Sequence, residues 1–416
     1  MKKRILYSIT NYEEILQKNG YFVDKTVYIE KLETVDNPVF LRPRKFGKSL
    51  LCSILRHYYD INYKNRFTEL FGQTWIGQHP TGNQNRFIIL SLDFSSIEIG
   101  STTKDIEHNF KRYCNSILQL LRQEYAIILS DMPQIIRDDP VSTNLSELLH
   151  YMRVHHLPPM YVIIDEYDNF ANQLITKHKD QLYRELTADN SFLKTFFKTL
   201  KEGRKTGALA NVFITGVLPL AIDDMASGYN IATFITLRAK FEQMLGFTQK
   251  EVAQLLDELY RDYEIEPKTR ALVETIIKNY YNGYHFVTEQ GEALYNSTAV
   301  MYFLSQFCEE QQIPRHLIDL NLKTDISWVK RLTASNSEQT EEFVDKLTLH
   351  NRILYDDAFL VEKFNLFQFF DKSFFPISFF YMVMLTKQDD FYMKLPNINL
   401  QQIFVEYFNE IHHIDV

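Results

Sequence analysis

A short loop between two regular patterns is the first feature of this chain that limits its fold. Residues 38–51 read PVFLRPRKFGKSLL, so an apolar run leads into a loop that ends in Gly47, Lys48 and Ser49. The residues that follow, LLCSILRHYYDI, place apolar side chains at helical spacing. A strand, a loop and a helix in this order are typical of loops that bind phosphate groups through backbone N–H groups at a helix N-terminus.

The loop departs from the usual G-x-x-x-x-G-K-[ST] pattern at its first position, where Arg42 replaces glycine. Gly47 is kept at the position where the backbone must approach the phosphates, and Pro43 favours an extended Arg42, as suits a residue leaving a strand. We therefore predict a working loop, with Lys48 at the β- and γ-phosphates and the Ser49 hydroxyl on Mg²⁺. The predicted ATP-binding residues are Arg42, Arg44, Lys45, Phe46, Gly47, Lys48, Ser49 and Leu50.

A second pattern, YVIIDE at 161–166, has the form of a buried strand that ends in two acids. In nucleotide hydrolases such a strand holds the metal, and we predict that Asp165, together with Ser49, binds Mg²⁺. Glu166 is the predicted general base that polarises the attacking water. The alternative is a buried strand with two solvated acids, but a phosphate loop earlier in the chain favours the metal site.

A third candidate is Thr215, which follows the apolar residues NVFI and precedes Gly216. A hydroxyl at the tip of this strand could position the attacking water or contact the γ-phosphate, so the predicted catalytic residues are Lys48, Glu166 and Thr215. A threonine that is merely satisfied at a strand end is an equally good interpretation. If the strands are parallel, their carboxyl ends bring all three elements to one crevice.

Apolar runs at 39–41, 86–97, 160–170 and 211–220, separated by helical patterns, predict an α/β fold with a parallel sheet flanked by helices, as in P-loop nucleotide-binding proteins. Beyond residue 245 the pattern becomes mostly helical, and Thr248 with Glu251 predicts a capping box. We expect a P-loop domain at 1–245, a helical lid-like domain at 246–340, and a small α or winged-helix-like region at 341–416.

Composition and sequence patterns argue against several classes of function. A formal net charge of −8 disfavours a globally basic nucleic-acid-binding protein. The apolar run FFPISFFYMVML at 374–385 is too short for a membrane helix and is expected in the core. The three cysteines lie far apart, and the N-terminus lacks a signal-peptide pattern, so we expect no membrane association and a reducing, cytoplasmic setting.

Several stretches of the chain, taken in order, resemble a prokaryotic family called AAA-ATPase-like proteins. They are YFVDKTVYIEKL, FLRPRKFGKSLL, YVIIDEYDN, VFITGVLPLAIDDMASGYNIAT, LGFTQKEV and YYNGYHF. The family's loop typically reads RPRRFGKS, so Arg42 and Pro43 look like the family's own version, with Lys45 as a mild departure. The resemblance implies that Lys48 and Ser49 are the phosphate and magnesium residues (Walker A) and that 165–166 is the acid pair (Walker B).

Other departures from the family pattern lie later in the chain, at His285 and in the stretch LYNSTAV. Members commonly carry a C-terminal nuclease domain of the PD-(D/E)XK type, for which the end of this chain has no Asp…Glu-x-Lys arrangement. Nuclease activity is therefore not expected.

The function predicted from these patterns is that of an ATP-binding protein that hydrolyses ATP slowly, with Mg²⁺, as a conformational switch. Two alternatives remain open: a nucleotide-binding scaffold without significant hydrolysis, and a DNA-associated ATPase of a mobile-element or defence system. The expected ligands are ATP and ADP. Nucleic acid is a possible partner. The chain is also expected to bind either an unknown protein partner or a second copy of itself.

Overall fold

A five-stranded parallel sheet forms the centre of the larger part of the molecule. The computed structural model describes residues 2–177, 179–188, 191–219, 229–287, 291–318, 337–360, 365–382 and 384–411. The strands of the sheet are β1 (Pro38–Leu41), β2 (Ile88–Asp93), β3 (Met160–Asp165), β4 (Leu209–Gly216) and β5 (Thr233–Phe234). Their spatial order is β2-β3-β4-β1-β5, and each neighbouring pair is parallel. The predicted α/β class is confirmed.

Helices cover this sheet, because the strands carry apolar side chains on both faces and every residue of β1 and β3 is buried. Their bounds are α1 (Tyr12–Gln17), α2 (Val27–Leu32), α3 (Lys48–Tyr59), α4 (Phe67–Phe71), α5 (Trp75–Gln78), α6 (Thr103–Glu124), α7 (Val141–Val154), α8 (Asn169–Thr176), α9 (Asp180–Thr187) and α10 (Phe192–Thr206). The long helix α6 begins with a capping box formed by Thr102 and Asp105.

Helix α10 differs in two respects from its sequence pattern. The sequence suggests Gly203 as the stop, but the helix continues to Thr206 and ends at Gly207, whose φ of 77° is left-handed. Gly203 is instead a packing position, since a Cβ there would lie 2.8 Å from the Leu149 side chain. The lysines at 194, 198, 201 and 205 have the spacing of a solvated basic face, but Lys194 is 3% exposed.

A second group of helices follows the sheet: α11 (Gln249–Asp262), α12 (Arg270–Tyr281) and α13 (Ser297–Glu310). The predicted capping box of Thr248 and Glu251 at the start of α11 is present. These helices bury their apolar faces against one another in a core of their own, which also contains Tyr21 from the N-terminal segment. The N-terminal segment therefore packs against this second group of helices.

The remaining described residues, 337–360, 365–382 and 384–411, form what we call the C-terminal module. Its elements are α14 (Ser337–His350), β6 (Ile353–Leu354), α15 (Leu366–Phe369), α16 (Phe375–Tyr381), β7 (Thr386–Lys387), β8 (Tyr392–Lys394) and α17 (Ile398–Ile411). The strands form a small antiparallel sheet in the order β6-β8-β7. All seven residues of α16 are buried, which confirms that the aromatic run belongs to the core.

The hydrophobic core of the sheet domain continues into the C-terminal module. One cluster contains the sheet residues, then Tyr284, Phe286 and Leu294, and then apolar residues of the module from 343 to 404. Among the described residues, no helix is both long enough and apolar enough to cross a bilayer.

Candidate nucleotide-binding site

The loop after β1 forms a turn that ends at the first residue of α3. Lys45 (φ 66°) and Gly47 (φ 98°) both have left-handed backbones. Successive backbone N–H groups in a turn of this kind can form a concavity where an anion binds. Gly47 is the N-cap of α3 and supplies no side-chain cap, so the first turn of the helix can offer its N–H groups to a ligand.

Lys48, the first residue of α3, connects the loop with the acid strand. Its side chain is 3% exposed, and Nζ donates to the Pro43 carbonyl oxygen at 2.9 Å. The same Nζ lies 3.5 Å from Oε1 of Glu166. The predicted phosphate lysine and the predicted general base are therefore neighbours, although 118 positions separate them in the printed sequence.

The two acids occupy different positions at the end of β3. Asp165 is 6% exposed, pairs in register with Asp93 of β2, and lines the same cavity as Ser49. Glu166 has a left-handed φ of 51°, which is uncommon for a residue with a side chain, and its N–H donates to Oδ1 of Asp165 at 2.9 Å. This turn separates the two carboxylates, with one beside Ser49 and the other beside Lys48.

A cavity of about 300 Å³ lies over the loop and is large enough for part of a nucleotide. Its polar end contains Glu166 and the loop residues Arg44, Lys45, Phe46, Gly47, Lys48, Ser49 and Leu50. Its apolar end is formed by Leu6, Ile9, Ile15 and Phe22 of the N-terminal segment and by Leu255 and Met301 of α11 and α13. Seven of the eight predicted ATP-binding residues therefore line one cavity. A second cavity, which Ser49 also lines, contains Asp93 and Asp165 in its wall.

The wall contributed by the N-terminal segment was not predicted from the sequence, since each residue taken alone resembles an ordinary apolar position. Ion pairs hold this segment against α11: Lys3 Nζ lies 2.9 Å from Glu258, and Lys25 Nζ lies 2.7 Å from Glu251. The Tyr21 hydroxyl also donates to Asp262 at 2.7 Å. These contacts close one side of the cavity with residues that are remote in sequence.

Arg42, the eighth predicted ligand residue, does not line the cavity. It is 1% exposed, and its guanidinium donates to the carbonyl oxygens of Leu41, Thr236 and Glu242 at 3.1–3.2 Å. Burial lowers its pKa to about 9, against the opposing effect of the Glu242 charge. Arg42 thus joins the end of β1 to the segment after β5, and its contact with the nucleotide stays a prediction.

Thr215 also lies outside both cavities. It is 1% exposed, and its hydroxyl donates to the Phe40 carbonyl oxygen in β1 at 2.7 Å. This geometry favours the alternative in which the threonine is satisfied at a strand end.

Asp168, an acid that is not among the predicted site residues, fixes the turn after β4. Its carboxylate accepts from the N–H groups of Val217 at 3.2 Å and Leu218 at 2.7 Å. Gly216 permits this approach, because a Cβ there would lie 2.3 Å from Asp168 Oδ1. The motif DEYDN contains this acid, so its position could have been noticed from the sequence.

The environment of Asp165 suits a hard cation. Hydroxyl and carboxylate oxygens are the ligands that Mg²⁺ prefers in proteins, and Ser49 and Asp165 supply one of each. Burial raises the pKa of the Asp165 carboxyl to about 6, partly opposed by the Ser49 hydrogen bond, and the nearby Glu166 charge adds to the increase. A carboxylate whose charge is disfavoured by burial gains stability from a neighbouring cation, so these residues fit the metal.

The raised pKa of Asp165 leads to a prediction about stability. An unfolded Asp titrates near pH 3.9, so the folded chain holds this proton more tightly than the unfolded chain does. Ionisation therefore weakens the fold progressively between about pH 4 and pH 6, by up to about 3 kcal/mol at about 1.4 kcal/mol per pKa unit. We expect Asp165→Asn to be more stable than the wild type at pH 7.5, with a difference that narrows toward pH 4. Urea unfolding across this pH range checks the prediction, and an equal difference at both ends would contradict it.

The fold and the site together define a class of protein. A parallel sheet in the order β2-β3-β4-β1-β5, with a glycine-containing loop before α3 and an acid pair at the end of β3, is the arrangement of P-loop nucleotide-binding proteins. The family model described as predicted AAA-ATPase matches residues 6–226, more than half of the chain. The chain therefore belongs to the AAA-ATPase-like family, which is a nucleotide-binding, ATPase-like class. A comparison with curated proteins gives no match.

Proposed function

We propose that the protein binds ATP in the cavity over the loop and hydrolyses it slowly, with Mg²⁺, as a conformational switch. The observation that carries this proposal is the 3.5 Å approach of Lys48 Nζ to Glu166 Oε1 at the polar end of the cavity. A cation for the phosphates and a carboxylate for the attacking water are thus available at one place. Family membership supports nucleotide binding. Slow hydrolysis and the role as a conformational switch are part of the proposal.

The contacts of Lys48 connect binding with catalysis in this proposal. Nζ is held by the Pro43 carbonyl oxygen and by Glu166. A γ-phosphate carries more negative charge than either partner, so Lys48 would transfer its hydrogen bonds to the phosphate oxygens. Glu166 would then be free to accept a proton from the water that attacks the γ-phosphorus, as ADP leaves.

Ser49 and Asp165 are the residues that would hold Mg²⁺. A bound Mg²⁺ would neutralise charge on the phosphate oxygens during transfer. The protein's own contribution is to place Ser49 and Asp165 at one cavity and to keep Asp165 only 6% exposed, away from competing water.

The apolar end of the cavity would receive the base. Leu6, Ile9 and Phe22 present apolar surface from one side, and Leu255 and Met301 present it from the other. Binding sites for cofactor-sized ligands are commonly apolar with a few well-placed polar groups, as here. Because α11 and α13 form the second wall, occupancy would draw the helical region toward the loop.

A multiple-turnover phosphate-release assay tests the proposal and separates it from the scaffold alternative. The proposal expects phosphate release from ATP that requires Mg²⁺ and stops with EDTA. Saturable ATP binding with no release beyond one equivalent per chain would favour the scaffold. No ATP binding would overturn both.

The DNA-associated alternative receives less support. The first six elements of the C-terminal module follow the order of a winged helix. They are one helix (α14), one strand (β6), two helices (α15 and α16) and two strands (β7 and β8). The second helix of such a pair, α16, would be the one to enter a DNA groove. All seven of its residues are buried, and the turn between β7 and β8 carries Asp389 and Asp390. We therefore propose that this module makes contacts within the protein.

A further inference from the structure

The segment 282–287 lies between the nucleotide loop and the C-terminal module. On the loop side, the ring of Phe46 packs edge-on against Tyr284 and Phe286, with centroids 5.1 and 5.5 Å apart. Phe46 is 1% exposed and also lines the cavity. A shift of the loop must therefore move Phe46 against these two rings, because close-packed side chains leave no room for independent movement.

Arg42 forms a second connection to the same segment. Its guanidinium carbon lies 4.4 Å from the ring centroid of Phe40 and 4.2 Å from that of Phe286. It also donates to the Glu242 carbonyl oxygen, while Oε1 of Glu242 accepts from the N–H groups of Phe286 at 3.3 Å and Val287 at 3.0 Å. The residue in place of the first loop glycine thus ties the end of β1 to this segment.

On its other side the segment is bonded to the C-terminal module. The His285 N–H donates to Oγ1 of Thr386 in β7 at 2.7 Å, and that hydroxyl donates back to the His285 carbonyl oxygen at 3.2 Å. Gly283, with a φ of 102°, lies so close to the module that a Cβ would be 2.0 Å from the Pro396 carbonyl oxygen. The segment therefore contacts the module through both hydrogen bonds and close packing.

The loop and the module also share the wall of another cavity. Pro43 and Arg44 line a small cavity together with Met382, Met384, Leu400 and Ile403 of the module. Arg44 also lines the nucleotide cavity. The continuous hydrophobic core described above passes through Tyr284 and Phe286 at the same junction.

We propose that nucleotide occupancy is coupled to the docking of the C-terminal module through the segment 282–287. This inference rests on the proposed function and names how that site is regulated. Phosphates that order the loop fix Phe46 and Arg44, and these residues in turn hold the segment and the module in their packed position. By linkage, loosening the module must weaken nucleotide binding by the same factor.

Hydrogen exchange of the full chain, with and without MgATP, tests the coupling. We expect ATP to slow exchange of the module amides at 384–411 by about fivefold or more, the lower end of usual coupling strengths. Thr386→Val removes the two hydrogen bonds to His285 and should lose most of this protection, while Thr386→Ser keeps the hydroxyl and should retain it. Thr348→Val is the matched control, because that hydroxyl, in α14 of the same module, has no hydrogen-bond partner among the described residues.

The outcomes separate this inference from the proposed function. ATP binding by the wild type, measured by calorimetry, with unchanged exchange at 384–411, overturns the coupling alone. The coupling is also overturned if ATP protects the amides at 384–411 equally in Thr386→Val and the wild type. It is overturned as well if Thr348→Val loses as much of this protection as Thr386→Val does. Failure of the wild type to bind ATP overturns the proposed function and the coupling together.

Discussion

Glu166→Gln is expected to bind MgATP and to turn it over about 10²- to 10⁴-fold more slowly than the wild type, the usual contribution of a general base. Glutamine keeps the size of the side chain but cannot accept the proton from water. It also removes the charge that holds Lys48 Nζ at 3.5 Å, so ATP affinity should be retained or increased. Steady-state phosphate release and calorimetry measure the two effects separately.

The matched control for this substitution is Glu274→Gln. Glu274 is paired with Arg270 at 2.6 Å on α12 and does not line the nucleotide cavity. It should leave both turnover and affinity unchanged. Full activity in Glu166→Gln would exclude Glu166 as the base, and equal losses in both variants would indicate a general effect on the fold.

Lys48→Ala is expected to abolish measurable ATP binding at ordinary concentrations. Removing one partner of a buried, hydrogen-bonded charge pair costs about 2–5 kcal/mol, which is about 30-fold to several thousand-fold in affinity. In this chain the loss has two parts, because the phosphates lose a donor and Glu166 keeps an uncompensated charge at the polar end of the cavity. Calorimetric titration with MgATP measures the result.

Two further variants show whether the loss is specific. Lys48→Met keeps most of the buried stem but lacks the ammonium group and its contacts with Pro43 and Glu166, so it should lose ATP binding while its thermal unfolding stays closer to that of the wild type than that of Lys48→Ala does. Lys240→Ala removes an exposed lysine whose Nζ contacts Thr34 at 2.8 Å, and should bind ATP normally. Unchanged ATP affinity in Lys48→Ala would end the proposal for this cavity.

The sequence predicted what depends on local patterns. The loop, the strand that ends in Asp165, and the capping box of Thr248 each follow from neighbouring residues and their spacing. The parallel sheet follows from the alternation of such strands with helices. Lys48 and Glu166 could be expected to meet because both lie at the carboxyl edge of that sheet.

The roles of Arg42 and Thr215 could not be predicted in this way. The guanidinium of Arg42 donates to carbonyl groups 194 and 200 positions later, and the hydroxyl of Thr215 donates to one 175 positions earlier. Nothing in the local sequence distinguishes an arginine that faces a phosphate from one buried between two phenylalanine rings. The apolar wall formed by the N-terminal segment could not be predicted for the same reason. The acids that hold this segment in place, Glu251 and Glu258, lie far along the chain on α11.

The central claim is that one triphosphate and one Mg²⁺ bring together an amine on a tight turn and the carboxylates of a neighbouring strand. A crystal structure with Mg²⁺ and a non-hydrolysable ATP analogue tests it most directly. We predict phosphate oxygens on the N–H groups of residues 47–50 and on Lys48 Nζ, and a cation between Ser49 Oγ and Asp165. A nucleotide bound elsewhere, with Lys48 still on the Pro43 carbonyl oxygen, would contradict the claim.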